Sequence, residues 1–252
     1  MSLVKEPWEV AMMRHSGRRL AEVAAILREA VRPGVSTLEL DQLAEKAIRD
    51  RGSIPSFKGY VVAGLTFHHS ICASPNDRVV HGIPNATPLK DGDIVSIDVG
   101  LIYGGYHADH AFTVAVGTAS KSALELIERT ERSLELAIAA TVPGNKVGDV
   151  GHAVQTYIEG FGYGVVKEYV GHGIGRAMHE RPSVPNFGRQ RQGQLIKEGM
   201  ALAIEPMINL RGAATRVLND GWTVVTEDGS LSAHFEHTIA VGPKGAEILT
   251  KL

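Results

Sequence analysis

The chain has 252 residues, a net charge of −2 at pH 7 and a single cysteine, Cys72. This charge gives no electrostatic case for a dedicated nucleic-acid surface, and one cysteine excludes an intramolecular disulfide framework and fits a reducing compartment. Charged residues interrupt the N-terminal stretch, and no apolar run approaches the length of a membrane span. We therefore expect a cytoplasmic protein that binds no membrane.

Hydrophobic periodicity predicts four helices and six strands. The helices are predicted where apolar residues recur three and four positions apart, at residues 7–31, 36–51, 122–140 and 147–159. The strands are predicted where apolar and β-branched residues cluster, at residues 93–99, 111–116, 163–169, 200–208, 222–226 and 238–241. Ser36 and Glu39 have the spacing of a capping box, which marks the start of the second helix. No Pro/Ser-rich linker divides the chain, so we expect residues 1–252 to form one α/β domain.

The two halves of the chain, about residues 1–118 and 119–252, repeat one another. Residues 90–98 and 197–205 share the order Lys, acid, Gly, four further residues, Ile and acid, at an offset of 107 residues. A Pro-Gly helix start precedes each copy, and an acid-histidine pair follows each copy, Asp109-His110 and Glu236-His237. The repeat predicts a pseudo-two-fold arrangement that brings four acids to one shared site.

Alternation along the two repeated strands orients the first acid of each half. Val95 and Ile97 face one side of the first strand and Asp98 faces the other, and Glu205 has the corresponding position in the second strand. Asp98 and Glu205 can therefore point into one cleft. Clustered carboxylates repel one another and resist desolvation, so such a cluster persists around a cation. The sequence predicts a metal centre.

Six motifs, in one order, resemble the signature of type I methionine aminopeptidases. They are His81-Gly82-Ile83-Pro84, the strand pair with Ile97-Asp98 and Ala108-Asp109, Gly171-His172-Gly173, His179-Glu180, Ile204-Glu205-Pro206-Met207 and Glu236-His237-Thr238. The likeness covers nearly the whole chain and is to the short bacterial form of this metallopeptidase family. It implies the pita-bread fold, in which two pseudo-symmetric halves form a curved, mainly antiparallel sheet covered by helices, with a dinuclear metal site at the centre.

The resemblance also implies a set of metal ligands. Carried over position by position, the ligands of two divalent cations are Asp98, Asp109, His172, Glu205 and Glu236. Asp109 and Glu236 would bridge both cations, Asp98 would hold one, and His172 with Glu205 would hold the other. Four carboxylates and one imidazole suit Mn, Fe or Co, with Zn possible, and differ from a Cys-rich structural zinc site. The residue types do not name the native metal.

The activity implied by the resemblance is removal of the initiator methionine from nascent proteins and peptides with a small second residue. Hydroxide activated by the two metals would attack the first peptide bond, and Glu205 would pass the water proton to the leaving amine. His81 and His179 resemble the two histidines that contact the scissile peptide in this family. The expected catalytic residues are therefore His81, His179 and Glu205.

The pocket for the methionine side chain is also implied by resemblance. Its expected wall, apolar and polarisable as a thioether requires, is formed by Tyr60, Phe67, Cys72, Met178 and Trp222. The chain departs from the family pattern because residues 61–64 look like an insertion between the two aromatics. His68 takes the place of a proline, and Met178 stands where an aromatic is common. The insertion either loosens the pocket or bulges outward.

Four further histidines invite a metal interpretation. His110 either orients a ligand carboxylate or points to the opposite side of its strand, and the second arrangement is favoured. His68, His69 and His107 are expected to be surface or pocket-rim residues.

Two other functions compete with this interpretation. An Xaa-Pro aminopeptidase or dipeptidase of the same fold would share the five ligands, and a pita-bread binding protein without catalysis would have lost some of them. All five are present, which favours the enzyme. The expected partners are the N-termini of nascent polypeptides, with transient ribosome proximity, and a monomer is expected by resemblance.

Overall fold

The computed structural model describes residues 2–252 and contains four helices within that range. They are α1 (Pro7–Ala30), α2 (Thr37–Asp50), α3 (Lys121–Ala140) and α4 (Val147–Glu159), each within one residue of its predicted bounds. The predicted capping box is formed: the Glu39 N–H donates to Ser36 Oγ at 3.2 Å, and the Ser36 N–H donates to Glu39 Oε2 at 2.8 Å. None of the helices in this part of the chain is long and apolar enough to cross a membrane.

The described residues also form seventeen strands. In the first half they are β1 (Ile54–Pro55), β2 (Val61–Val62), β3 (Leu65–Thr66), β4 (Ile71–Pro75), β5 (Arg78–Val80), β6 (Ile94–Tyr103) and β7 (Tyr106–Ala115). In the second half they are β8 (Gly164–Val165), β9 (Gly171–Gly173), β10 (Glu180–Val184), β11 (Ala201–Ile204), β12 (Met207–Asn209), β13 (Thr215–Val217), β14 (Val224–Thr226), β15 (Ser232–His234), β16 (Glu236–Gly242) and β17 (Gly245–Ile248).

The largest sheet has nine antiparallel strands and joins both halves of the chain. Its order is β1-β6-β7-β16-β11-β9-β10, with β17 paired to β16 and β4 paired to β6. The halves meet where β7 pairs with β16, and the hairpin β6–β7 on one side matches the pair β16–β11 on the other. This arrangement confirms the predicted α/β pita-bread fold.

The helices cover the sheet and form one large hydrophobic core with it. Helix α1 packs on β6 and β7, whereas α3 packs on β7, β12 and β15. Leu20 and Leu27 of α1 are fully buried together with Ile97 of β6. Helix and strand apolar faces thus meet in the middle of the molecule, and the opposite face of the sheet is left for the polar side chains.

Three predicted strands differ most from the structure, and strand β6 also ends four residues later than predicted, at Tyr103. Strand β7 begins five residues earlier than predicted because Gly104 and Gly105 adopt positive φ and join it to β6 through a two-residue hairpin turn. The predicted strand at residues 200–208 is two strands in different sheets, since Pro206 has no N–H for the ladder and the chain leaves the large sheet at Glu205. Of residues 163–169, only Gly164–Val165 are a strand.

Candidate metal centre

The five predicted ligands come from five consecutive strands of the large sheet. In sheet order they are Asp98 on β6, Asp109 on β7, Glu236 on β16, Glu205 at the end of β11 and His172 on β9. Because antiparallel neighbours lie about 5 Å apart, side chains on one face of five such strands can converge only if the sheet curves. The curvature of the sheet therefore brings residues separated by up to 138 positions into one cluster.

The distances within the cluster are those of a cation site. His172 Nε2 lies 3.5 Å from Glu205 Oε1 and 3.9 Å from Asp109 Oδ2. Asp109, His172 and Glu236 each offer one ligand atom, and these atoms lie within 4.8 Å of one another. A second group with the same property consists of Glu205, His234 and Glu236. Both groups use Glu236, so the two sets of ligands are contiguous.

Burial makes the negative charges of the four carboxylates in this cluster unfavourable. It raises the pKa of Asp98 to about 7 and the pKa values of Asp109, Glu205 and Glu236 well above their ordinary values, and neighbouring carboxylates raise the last three further. No lysine or arginine among residues 2–252 forms an ion pair with any of the four. The compensating positive charge must come from outside the chain.

Buried polar atoms without a hydrogen-bond partner indicate where a cation would bind. Asp98 Oδ1, Glu236 Oε1 and His234 Nε2 are buried and have no hydrogen-bond partner among the described residues. Buried polar atoms are almost always paired, so three such atoms in one cluster indicate a missing ligand. Carboxylate oxygens and imidazole nitrogens together are the donors that divalent transition metals prefer. The residues present therefore fit a divalent cation.

The tautomer of His172 is fixed by the adjacent backbone. Its Nδ1–H donates to the carbonyl of Gly173 at 2.9 Å, which leaves the lone pair of Nε2 facing the carboxylates. Burial lowers the pKa of His172 to about 3, so the ring is neutral at pH 7. The flanking glycines allow neighbouring strands to approach closely: a Cβ at Gly171 would lie 2.4 Å from the Ala203 carbonyl oxygen.

Two residues to which the sequence assigned no role hold the ligand backbones through hydrogen bonds. Thr238 Oγ1 accepts the N–H of Asp109 and donates to the carbonyl of the same residue, both at 2.8 Å. Asn186 Nδ2 donates to the carbonyl of Glu205 at 2.9 Å, just where the chain leaves β11. Neither contact has a local sequence signal, since each joins residues distant along the chain.

His179 and His81 lie beside this cluster. The ring centroids of His179 and His172 are 4.4 Å apart, and a hydrogen bond of 2.8 Å joins His179 Nδ1 to the Tyr60 hydroxyl. Burial lowers the pKa of His179, and burial together with His179 lowers the pKa of His81 to about 4. His81 has a φ of 58°, a left-handed conformation that is uncommon for a residue with a side chain.

A single cavity of about 370 Å³ brings all the predicted residues together. The five ligands, His81 and His179 form its polar part, and Tyr60, Phe67, Cys72, Met178 and Trp222 form an apolar wall. Phe67 and Trp222 meet edge to face at 5.2 Å, and Cys72 lies opposite Asp98 in the β4–β6 ladder. Burial, followed by the nearby carboxylates, raises the pKa of the Cys72 thiol, which therefore stays neutral. The sequence did not identify Phe57, Tyr169 and Val217, which also line the cavity.

Residues 61–66 form a hairpin at the mouth of the cavity. Strands β2 and β3 pair across a turn in which Ala63 and Gly64 have φ values of 49° and 84°. Val62 and Leu65 line the cavity while remaining about half exposed. Leu65 approaches Gly221 so closely that a Cβ there would lie 2.5 Å from Leu65 Cδ1. The hairpin therefore adds apolar surface to the entrance of the cavity.

The remaining histidines do not line the cavity. His110 points to the opposite side of β7, as favoured, where its ring stacks on His237 at 4.7 Å and its Nδ1–H donates to the Glu236 carbonyl. His69 Nδ1 is 2.9 Å from Asp41 Oδ2, and His107 Nδ1 is 2.9 Å from Ser56 Oγ. His68 is exposed. These four have structural or surface roles.

Comparisons with known proteins agree with this site. The model of Metallopeptidase family M24 matches residues 11–243. A relative described as methionine aminopeptidase 1 of Bacillus subtilis is 47% identical over 252 residues, covering 100% of both chains. A methionine aminopeptidase of Clostridium perfringens is 48% identical over 250 residues, covering 99% of both. The crystal structure of methionine aminopeptidase from Rickettsia prowazekii superposes with a TM-score of 0.96 at 42% identity, covering 99% of this chain and 100% of that chain.

Proposed function

The chain belongs to metallopeptidase family M24, and we propose that it removes the N-terminal methionine from nascent proteins and peptides whose second residue is small. The observation that carries this function is a buried carboxylate and imidazole cluster that opens into an apolar cavity of about 370 Å³. Relatives of the same length with nearly half of their residues identical are methionine aminopeptidases. The chain is accordingly a metal-dependent aminopeptidase.

We propose that the cluster holds two divalent cations, Co, Mn, Fe or Zn. Asp98 would bind one, His172 with Glu205 would bind the other, and Asp109 with Glu236 would bridge them. The unpaired Asp98 Oδ1 and Glu236 Oε1 support this assignment, because each is a buried oxygen with a free lone pair. When bound, divalent cations supply Lewis acidity at the scissile carbonyl and lower the pKa of water.

Side chains of the protein are proposed to transfer the proton of the attacking water and to donate hydrogen bonds to the substrate. Glu205 is the proposed base: its carboxylate lies against His172 at 3.5 Å, and it can accept the proton of the attacking water and return it to the leaving amine. His179 and His81 stay neutral at pH 7 because burial lowers their pKa values. Each can therefore donate one N–H to the scissile peptide and stabilise the charge that develops there. The hydrogen bond from Tyr60 holds the His179 ring in place.

The apolar wall of the cavity supports a preference for methionine. Phe67, Cys72, Met178 and Trp222 present aromatic rings and sulfur to the side chain, which suits a flexible thioether. Phe67 is 3% exposed and Met178 is 4% exposed, so this wall is held by the protein interior. One missing methylene in such a pocket costs roughly 1–3 kcal/mol, so discrimination against close analogues is expected to be modest.

Where the enzyme works follows from its substrate. Nascent chains carry the initiator methionine at the ribosome, so we propose that the enzyme acts in the cytoplasm with transient ribosome proximity, as a monomer that requires no nucleic-acid contact. The net charge of −2 supports the last point, since no overall positive charge draws the protein to nucleic acid.

Product analysis by mass spectrometry tests the proposed function. The purified apo-protein is given Mn, Fe, Co or Zn together with Met-Ala-Ser, Leu-Ala-Ser and Ala-Pro-Ala peptides, and a metal-free sample is the control. Release of methionine alone, and only with metal, is the expected result. Release of leucine beside it would indicate a loose pocket.

Two results of the same experiment would contradict the proposal. Cleavage confined to Ala-Pro-Ala would assign the chain to the proline-specific peptidases that share this fold. Failure to cleave any peptide with any metal would point to a binding protein without catalysis.

A further inference from the structure

His234 is a buried histidine that is not among the five proposed metal ligands. It is the last residue of β15, and it is only 2% exposed. Its backbone is fixed on both sides by Thr113, whose hydroxyl accepts the His234 N–H and donates to the His234 carbonyl, both at 2.9 Å. Yet Nε2 of the ring has no hydrogen-bond partner among residues 2–252. An anchored imidazole with an unpaired buried nitrogen is unfavourable unless a ligand completes it.

The unpaired nitrogen faces the carboxylates of the metal centre. His234 Nε2 lies 3.8 Å from Glu205 Oε2, while the other oxygen of the same carboxylate, Oε1, lies 3.5 Å from His172 Nε2. Glu205 therefore lies between two imidazoles, one opposite each oxygen. One ligand atom of Glu236 completes the group, within 4.8 Å of those of Glu205 and His234.

The surroundings favour a cation over a hydrogen-bonding residue of the chain. The cavity beside His234 is lined by Val80, whose side chain has no polar atom, and by Met207, whose thioether is only a weak acceptor, and none of the polar groups that also line it hydrogen-bonds Nε2. Glu236 Oε1 in the same group is likewise buried and unpaired. A carboxylate oxygen and an imidazole nitrogen can each present a lone pair, so one cation can satisfy both unpaired atoms.

We propose that His234 is a metal ligand, which binds a divalent transition-metal cation together with Glu205 and Glu236. The centre would then have two imidazole ligands, His172 and His234, each of which faces a different oxygen of the Glu205 carboxylate. A site with nitrogen and oxygen donors favours Co, Fe or Zn over Mg or Ca, which prefer oxygen alone. This inference rests on the metal dependence proposed above, but its test is ligand identity, which is measured independently of peptide cleavage.

X-ray absorption spectroscopy of the cobalt-loaded, unmodified protein measures the number of imidazole ligands. Multiplying the imidazoles per cobalt by the measured cobalt content gives imidazole ligands per chain. The proposal predicts about two per chain, from His172 and His234, whereas the five-ligand set alone gives about one. A value of one would overturn the proposal even if methionine release were intact, so its failure and failure of the proposed function are distinguishable.

The variant His234→Gln removes the imidazole but keeps a hydrogen-bond donor of similar reach. We expect it to lose one imidazole per chain and to bind one cobalt ion at least roughly tenfold more weakly by calorimetry. His237→Gln is the matched control, because His237 lies nearby on β16 but bonds Thr250 and stacks on His110, away from the cluster. The variant His237→Gln should keep the imidazole number per chain and the cobalt affinity of the unmodified protein.

Unchanged cobalt affinity and imidazole number in His234→Gln would overturn the proposal and make His234 a hydrogen-bond donor to Glu205. If His234→Gln does not fold, the imidazole number of the unmodified protein decides between the two roles.

Discussion

Glu236 shows how single residues define this centre. It begins β16, is 2% exposed, and forms no ion pair with a lysine or arginine among residues 2–252. Burial, followed by the carboxylates of Glu205 and Asp98, raises its pKa well above the usual range, so in the metal-free protein the carboxylates compete for protons. A cation removes that competition, because it satisfies several carboxylates at once.

Replacing Glu236 should therefore remove metal and activity together. Glu236→Ala is expected to lower turnover of Met-Ala-Ser by roughly 1000-fold, the equivalent of about 4 kcal/mol of transition-state stabilisation. Elemental analysis should show fewer metal ions per chain than in the unmodified protein. Full activity in this variant would show that the bridging assignment is wrong.

His179→Ala should separate catalysis from metal binding. His179 lines the cavity beside His172 but is not among the proposed ligands. We expect the rate to fall by roughly 100- to 10,000-fold, as for loss of a proton-donating group, with metal content unchanged. Loss of metal along with the rate would instead make His179 a ligand.

Tyr60→Phe tests whether the Tyr60 hydroxyl positions His179. The change removes only the 2.8 Å hydrogen bond to His179 Nδ1, which is worth about 0.5–1.5 kcal/mol. We expect kcat to fall roughly 3- to 10-fold with KM little changed, measured in steady-state assays. An increase in KM alone would mean that Tyr60 serves only as a wall of the substrate pocket.

At the scale of elements, the β2–β3 hairpin is the feature that sets the entrance of the cavity. Leu65 lines the cavity and is 44% exposed, whereas its hairpin neighbour Val61 is 58% exposed and does not line it. Polar replacement of the two side chains should therefore have different consequences for substrate binding.

Leu65→Ser is expected to raise KM for methionyl peptides about 3- to 10-fold, because roughly 1 kcal/mol of apolar contact is lost from a half-buried leucine. Val61→Ser, on the same hairpin, should leave KM unchanged. Steady-state kinetics on both variants checks this, and equal effects would mean that the hairpin matters only for folding.

The elements also show what the sequence could and could not predict. Apolar periodicity placed all four helices within one residue, and the repeat placed Asp98 and Glu205 on corresponding strands. It did not predict the break at Glu205-Pro206, because both flanks are equally apolar and only the sheet pairing separates them. His234 was missed because its place beside Glu205 depends on tertiary packing, although its spacing of two residues from Glu236 is the one that strand alternation predicts for side chains on one face.

At the scale of the whole molecule, the cluster couples stability to pH. The pKa of Asp98 is raised to about 7, and those of Asp109, Glu205 and Glu236 are raised well above their ordinary values, so the folded metal-free protein holds protons that the unfolded chain has released. This contribution to stability is lost as pH rises through the folded pKa values. The buried histidines act oppositely: His81 and His172 have pKa values lowered to about 4 and about 3, so they destabilise the fold as pH falls.

The pKa of a histidine in the unfolded chain is about 6.5, so above about pH 7.5 the histidines are almost entirely neutral in both states and the carboxylate contribution dominates. The Tm of the metal-free protein should therefore fall between about pH 7.5 and 8.5, while the Tm of the metal-loaded protein should change much less. Thermal unfolding followed by circular dichroism, with and without manganese, measures both. Parallel pH dependence in the two samples would contradict the idea that the carboxylates carry this effect.

The curved sheet is expected to hold a metal centre between Asp109, His172, Glu205 and Glu236. Anomalous diffraction from manganese-loaded crystals would locate the cations without reference to activity. We predict anomalous peaks within coordination distance of these four residues. Density elsewhere, with this cluster empty and methionine release undiminished in EDTA, would contradict the account.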